Sequence, residues 1–300
     1  MMRRTVSSRS LRRDVLFLYH NIARYAMSHR PKWWLDFLRI IWPLTTISAK
    51  MTQWPVFGPV LAFLVKPIFT GKNFHVSYVP INATVDGTVS SVIPEKLLEE
   101  LIRRSAHRVT INRCTCRESE KCEHFPVEDA CLHLGEGTMN IDRHLATPRT
   151  VDEAIAHTRK MIGMGLVPMI GRVRMDDFFY GEPNTGKMLT ICYCCSCCCT
   201  IMKSMRYFPN DVKKSLVLLK GLRVVVDNEA CTRCGVCVAE CFAGALAMGD
   251  GGIAWNESLC KGCGRCVTVC PVKAVSIVVD DMDRAIDDMK GRIRERVDIE

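Results

Sequence analysis

Two runs of cysteines near the C-terminus carry the most specific chemistry in this 300-residue chain. They are Cys231-Thr-Arg-Cys234-Gly-Val-Cys237-Val-Ala-Glu-Cys241 and Cys260-Lys-Gly-Cys263-Gly-Arg-Cys266-Val-Thr-Val-Cys270, and both read C-x2-C-x2-C-x3-C. The first three thiols of each run share one tight turn and can reach three irons of a cube. The fourth lies a helical turn further on, points away, and serves the other cube. The pattern predicts one [4Fe–4S] cluster on Cys231, Cys234, Cys237 and Cys270, and a second on Cys260, Cys263, Cys266 and Cys241. Gly235, Gly262 and Gly264 let the backbone wrap close and present N–H groups to sulfur. Val236, Val238, Val267 and Val269 are expected to line the clusters and exclude water. A zinc ribbon or a disulfide frame would not call for two complete copies of this spacing.

On these residues the tail resembles the bacterial dicluster ferredoxins. The resemblance implies a two-fold repeat of strand, cluster loop, helix and strand. Strands are expected at Leu222–Val226, Ala245–Met248, Ile253–Trp255 and Ala274–Val279, with Asp250-Gly251-Gly252 turning the middle hairpin. Phe242 departs from the family, which has proline after the fourth cysteine; Pro271 keeps it in the second repeat.

Eight of the eighteen cysteines lie in these runs, leaving ten. Cys114-Thr-Cys116 follows an expected strand at Arg108–Asn112, and Cys122 and Cys131 follow on a loop with His124 and His133. Cys192-Tyr-Cys194-Cys195-Ser-Cys197-Cys198-Cys199 puts six thiols in eight residues, more than one cubane takes. Were this run extended, Cys192, Cys194 and Cys198 would face one side and Cys195, Cys197 and Cys199 the other. The economical expectation is one or two further iron–sulfur clusters held by Cys114, Cys116, Cys122 and Cys131 with part of the run. Zinc on four thiolates and a redox-active dithiol stay open. His124, His133 and His144 are expected to be solvated loop residues rather than ligands. From about Val79 onward, the Cys-x-Cys-Arg segment, the following cysteines and the cysteine run ahead of a ferredoxin tail are similar to a group of iron–sulfur proteins of strict anaerobes. That similarity implies an architecture and not a reaction; the relatives favour Asn where this chain has Tyr193, whose ring would shield a cluster.

The elements that must position these thiols follow from local signals. Pro94 opens a helix with Leu97, Leu98, Leu101 and Ile102 inward. Thr150-Val-Asp-Glu153 is a capping box for a helix to about Met164, stopped by Gly165. Strands are expected at Val167–Ile170 and Met188–Ile191, the second running into the cysteine run. The fold class is therefore α/β (α+β): a cysteine-rich α/β middle domain over residues 76–220, a ferredoxin-like 2[4Fe-4S] domain over 221–280, and a charged, solvated C-terminal helix over 281–300. An amphipathic helical region, residues 1–75, precedes them.

Net charge is +9, yet residues 1–75 hold twelve Lys/Arg against Asp14 and Asp36, so the remainder is about neutral before any cluster is added. Four of the five tryptophans, Trp33, Trp34, Trp42 and Trp54, lie in the same basic region, with a helix expected to Ser28 and another face at Trp33–Ile47. Aromatic and basic residues together suit a lipid–water boundary, so a peripheral contact with the inner face of the cytoplasmic membrane is expected. Packing on a partner subunit or on the body of the protein is the alternative. No stretch is long and apolar enough to span a bilayer. Arg12-Arg13 loosely matches a twin-arginine export signal, but His20, Asn21 and Arg24 spoil the apolar stretch. Nothing beside the basic residues reads bases, so no nucleic-acid partner is expected. Cysteines in this number, without a secretory signal, point to metal in a reducing cytoplasm of an anaerobe.

No nucleotide-binding glycine fingerprint, phosphate loop or nucleophile triad is legible. The expected function is electron transfer between two cubanes and a further cysteine-ligated centre, as a subunit or partner of an anaerobic redox complex. The alternative is a reductase acting on a disulfide or other small substrate at the middle centre; metal storage or cluster delivery is a third possibility.

Overall fold

Helices and strands follow local chemistry from the first described residues onward. The computed structural model describes residues 29–69, 71–85, 88–90, 92–128 and 130–300. The arginine-rich opening and its expected helix to Ser28 lie outside them. Three short helices come first: α1 (Trp34–Ile41), α2 (Pro43–Met51) and α3 (Gly58–Val65). The single helical face expected over Trp33–Ile47 is divided at Pro43, which opens α2 because proline has no N–H to give a continuing helix.

The middle of the chain runs β1 (Phe74–Tyr78), β2 (Ala83–Val85), β3 (Thr88–Ser90), α4 (Val92–Arg104), β4 (Arg108–Ile111), α5 (Thr115–Ser119), β5 (Leu132–Leu134) and β6 (Ala146–Pro148). It continues with α6 (Val151–Gly163), β7 (Val167–Val173), α7 (Arg174–Tyr180), β8 (Leu189–Cys194), α8 (Thr200–Met205) and α9 (Asn210–Lys213). Six strands form one sheet in the order β1-β7-β8-β5-β4-β6, each antiparallel to its neighbours. Both halves of the capping box at Thr150 and Glu153 are made, so α6 starts where expected, and Gly165 leaves it in the left-handed conformation at φ +84°.

The tail comprises β9 (Leu222–Val226), α10 (Val236–Glu240), β10 (Leu246–Gly249), β11 (Gly252–Trp255), α11 (Arg265–Val269), β12 (Val275–Val279) and α12 (Met282–Arg294). Its sheet is wider than a ferredoxin repeat requires. β12 pairs antiparallel with β9 and parallel with β2, and β3 extends the order to β3-β2-β12-β9. One apolar core runs without a break from Leu98, Leu132 and Ile191 to Leu222 and Ile277. Helix α12 is not the solvated helix expected. Ala285, Met289 and Ile293 are buried, Arg292 reaches Ser77 Oγ at 2.8 Å, and Lys290 meets Glu100 at 2.5 Å. Its alternating charges belong to an amphipathic helix whose Lys290 and Arg292 turn back onto the protein while Asp287 stays exposed.

Candidate metal centres

The two cluster loops of the tail repeat their backbone closely. Arg233 and Gly262 have φ of +56° and +68°, Gly235 and Gly264 +74° and +73°, and Gly244 and Lys273 +69° and +55°. Each repeat aims the same amides at sulfur: Arg233 N and Gly262 N donate to Cys231 and Cys260 at 3.4 and 3.5 Å, and Ala245 N and Ala274 N to Cys241 and Cys270 at 3.2 Å each. Amides at sulfur favour thiolate over thiol and offset part of a cluster's negative charge.

Cys241, Cys260, Cys263 and Cys266 line one cavity, walled also by Ala245, Leu246 and Ile277. Four thiols on the wall of an apolar cavity fit the donor set of a cubane. Burial raises the thiols of Cys260 and Cys266 and pushes Cys263 up to about 12. These positions favour a proton or a metal over a bare thiolate. In the other quartet burial first, and then the neighbouring Cys231 and Cys234, raise the Cys237 thiol. That loop is open: Cys234 is exposed, and Val236, expected to shield it, is 39% exposed. The two halves of the tail therefore differ in depth.

The ten remaining thiols fall into two groups. Cys122, Cys195, Cys197 and Cys198 place their sulfurs all within 4.8 Å of one another. Cys114, Cys116, Cys131, Cys192, Cys194 and Cys199 gather at the ends of β4, β5 and β8. There Cys131 Sγ lies 3.3 Å from Cys192 Sγ, Cys114 hydrogen-bonds Cys116, and Cys194 hydrogen-bonds Cys199. Strand register accounts for the first contact, since Leu132 pairs with Ile191 and the flanking Cys131 and Cys192 come opposite. The two-sided partition of an extended run is overturned. The strand ends at Cys194, a turn follows, and α8 begins at Thr200, so Cys198 parts from Cys192 and Cys194 while Cys199 returns to them.

Of the residues around these groups, Asp176, Thr190 and Thr200 carried no sequence signal for a role. Arg117 is 1% exposed, and its guanidinium donates to the carbonyls of Tyr193 and Pro126 at 3.0 and 2.5 Å. Burial pulls its pKa down, but Cys114, Cys131, Cys195 and Cys194 hold it above its usual value, so one cation serves both thiol groups. A hydrogen bond from Cys114 draws Cys116 down to about 6 against its burial, with help from Thr200, which accepts from the Trp42 indole at 2.7 Å. Burial pushes Asp176 up to about 7, where it accepts from Thr190 Oγ1 at 2.8 Å. Tyr193, expected as a shield, turns its hydroxyl to Thr158 at 2.6 Å. His124 and His144 are exposed as expected, but His133 is not. It is wholly buried on β5, its ring edge-on to Tyr180, and burial pushes it down to about 3.

Tyr78 joins the tail to the middle. Its side chain is fully buried, its hydroxyl has no hydrogen-bond partner, and its ring meets Phe242 edge-on at 6.0 Å. Burial raises its pKa well above the usual value, reinforced by the charges of Cys199, Cys194, Cys263 and Cys192. One phenol thus stands among thiols of the six-member group and a ligand-position thiol of the tail. The departure at Phe242 fills the same core.

The paired loops, their cysteines and their sheet define the tail as a ferredoxin-like iron–sulfur domain, the class that carries electrons one at a time. Residues 224–247 and 253–276 match the 4Fe-4S binding domain family, and through this tail the chain belongs to that family. The tail is 45% identical over 62 residues to a ferredoxin from Pyrobaculum islandicum, covering 20% of this chain and 56% of that protein. It is 32% identical over 73 residues to pyruvate synthase subunit PorD of Methanocaldococcus jannaschii, covering 24% of this chain and 85% of the subunit. It is 35% identical over 52 residues to the delta subunit of the NADH-dependent phenylglyoxylate dehydrogenase of Aromatoleum evansii, covering 17% and 56%. This chain thus spans little more than half the length of the ferredoxin and of the dehydrogenase subunit.

Proposed function

We propose that this chain is an iron–sulfur electron-transfer subunit, in which two [4Fe–4S] clusters of the tail relay electrons between an outside redox partner and a centre on the middle thiols. Tyr78 carries the proposal, because it packs in one buried cluster with Cys194 and Cys199 of the middle group and with Cys241 and Cys263 of the tail. Cys231, Cys234, Cys237 and Cys270 are assigned to the outer cluster, and Cys260, Cys263, Cys266 and Cys241 to the inner one. The exposed Cys234 loop supports an outer docking point, and the deeper quartet beside Phe242 supports an inward relay. Clusters, when bound, supply one-electron carriage. The chain supplies amides to sulfur, an apolar wall, and the Arg117 cation beside the middle thiols. Likeness to subunits of pyruvate synthase and of phenylglyoxylate dehydrogenase supports a place beside a multi-subunit redox enzyme.

The test is anaerobic reduction followed by electron paramagnetic resonance. Cys263→Ser should leave the outer cluster reducible and slow reduction of the middle centre at least tenfold. Tyr78→Phe should shift that centre's midpoint potential, because it removes a buried, unpartnered hydroxyl dipole beside the thiols. Equal reduction rates in Cys263→Ser and the unaltered protein would refute the relay.

A second reading is favoured by the surplus of thiols. Six surround the middle centre and a cubane takes four, leaving a pair free to exchange two electrons and two protons with a disulfide substrate. Turnover of an added disulfide by the reduced protein separates the two readings.

We also propose that residues 29–69 rest on an anionic lipid surface. Twelve of the exposed large apolar residues lie there, among them Trp33, Ile40, Trp54, Phe57, Phe63 and Leu64. Lys32, Arg39 and Lys50 are exposed on the same segment, and its one acid, Asp36, is taken by Arg113 at 3.0 Å. Among the described residues no helix is long and apolar enough to cross a membrane.

A further inference from the structure

We propose that Cys122, Cys195, Cys197 and Cys198 hold one tetrahedral divalent ion, in the manner of a four-thiolate zinc site, and not a further cubane. Distance decides between the two. Metal–sulfur bonds of about 2.3 Å at tetrahedral angles put thiolate sulfurs about 3.8 Å apart. In a cubane each thiolate binds a different iron corner, which spreads the sulfurs to roughly 6 Å. Here Cys122 Sγ lies 3.7 Å from Cys197 Sγ, Cys197 Sγ lies 3.6 Å from Cys198 Sγ, and all four sulfurs fall within 4.8 Å of one another. Among the described residues neither ferredoxin quartet closes to that span.

The surroundings suit an anionic single-ion site. The backbone N–H groups of His124 and Phe125 donate to Cys122 sulfur, and that of Cys198 donates to Cys195. The Arg117 guanidinium supplies positive charge near Cys195. Three of the four thiols come from one turn, Cys195–Cys198, and the fourth from the loop after α5. An ion there would pin the link between β8 and α8. It would thereby fix Cys194 and Cys199 on either side of that link without changing oxidation state itself. The proposal is independent of the electron relay.

The experiment starts from the unaltered, anaerobically purified chain. X-ray absorption at the zinc edge should show four sulfurs at about 2.3 Å, and elemental analysis one zinc per chain. Cys197→Ser should lose that zinc while iron and acid-labile sulfide stay at the unaltered level, and Ser196→Ala, an exposed neighbour, should keep all three. One iron per chain in excess of sulfide, lost in Cys197→Ser, would equally uphold a single-ion site. Loss of iron and sulfide in equal number from Cys197→Ser would overturn it, as would a zinc-free unaltered protein whose iron matches its sulfide. Because the absorption and elemental measurements need no variant, misfolding of Cys197→Ser would leave the proposal decidable.

Discussion

Arg117 and Tyr78 show what single residues do once the thiols are in place. A buried cation among cysteines lowers the cost of gathering negative charge, and a buried phenol offers a donor where no carbonyl takes it. Neither was legible as functional in the sequence. An arginine after a cysteine and a tyrosine at the end of a strand are ordinary residues until nonlocal packing supplies their neighbours. The tail cysteines were legible because their spacing alone encodes a turn and a helix. His75, on the same strand β1 as Tyr78, yields a residue-scale prediction of another kind. Burial, then Arg296 and Arg292, pull it down to about 4 from 6.5, although Glu295 opposes them. The unfolded chain therefore takes up a proton on this histidine as pH falls below 6.5, while the folded chain stays neutral until about 4. Its stabilising contribution is complete above pH 6.5 and is lost as pH falls through about 4. In His75→Gln the unfolding midpoint should drop less between pH 7 and pH 4 than in the unaltered protein, as read by circular dichroism; an equal drop would show that other groups set the acid limit.

At the level of elements, α6 and the β10–β11 hairpin were readable because a capping box and a glycine turn act within a few residues. The addition of β2 to the tail's sheet was not readable. Three residues carry no period, and their partner Ile277 is far away in sequence. The cysteine run shows both cases: its composition signalled metal, but its partition depended on where β8 stops. Helix α12 gives the prediction at this scale. Met289 is 1% exposed in the shared core, so Met289→Ala should cost about 2–4 kcal/mol in anaerobic denaturant unfolding. Asp287, exposed on the opposite side, should change stability by less than about 0.5 kcal/mol when replaced by alanine. Equal small effects would mean that α12 is dispensable to the core.

Across the whole molecule, the proposed function assigns one contact to the apolar, cationic end and another to the open cluster loop. The lipid contact predicts sedimentation with vesicles rich in phosphatidylserine, weakened by high salt because part of the attraction is screened charge. Phe57→Asp with Phe63→Asp, both exposed side chains, should cut vesicle binding at least tenfold while iron content is unchanged. Unchanged vesicle binding in that variant would assign the patch to a protein partner instead.

The parallel pairing of β2 with β12 also sets an order of events during synthesis. β2 pairs at once with the adjacent β3, but it finds its parallel neighbour only after β12, at Val275–Val279, has been made. Until then the nascent chain carries all eighteen cysteines, Cys114 through Cys270, on an unfinished sheet, and β12 closes it.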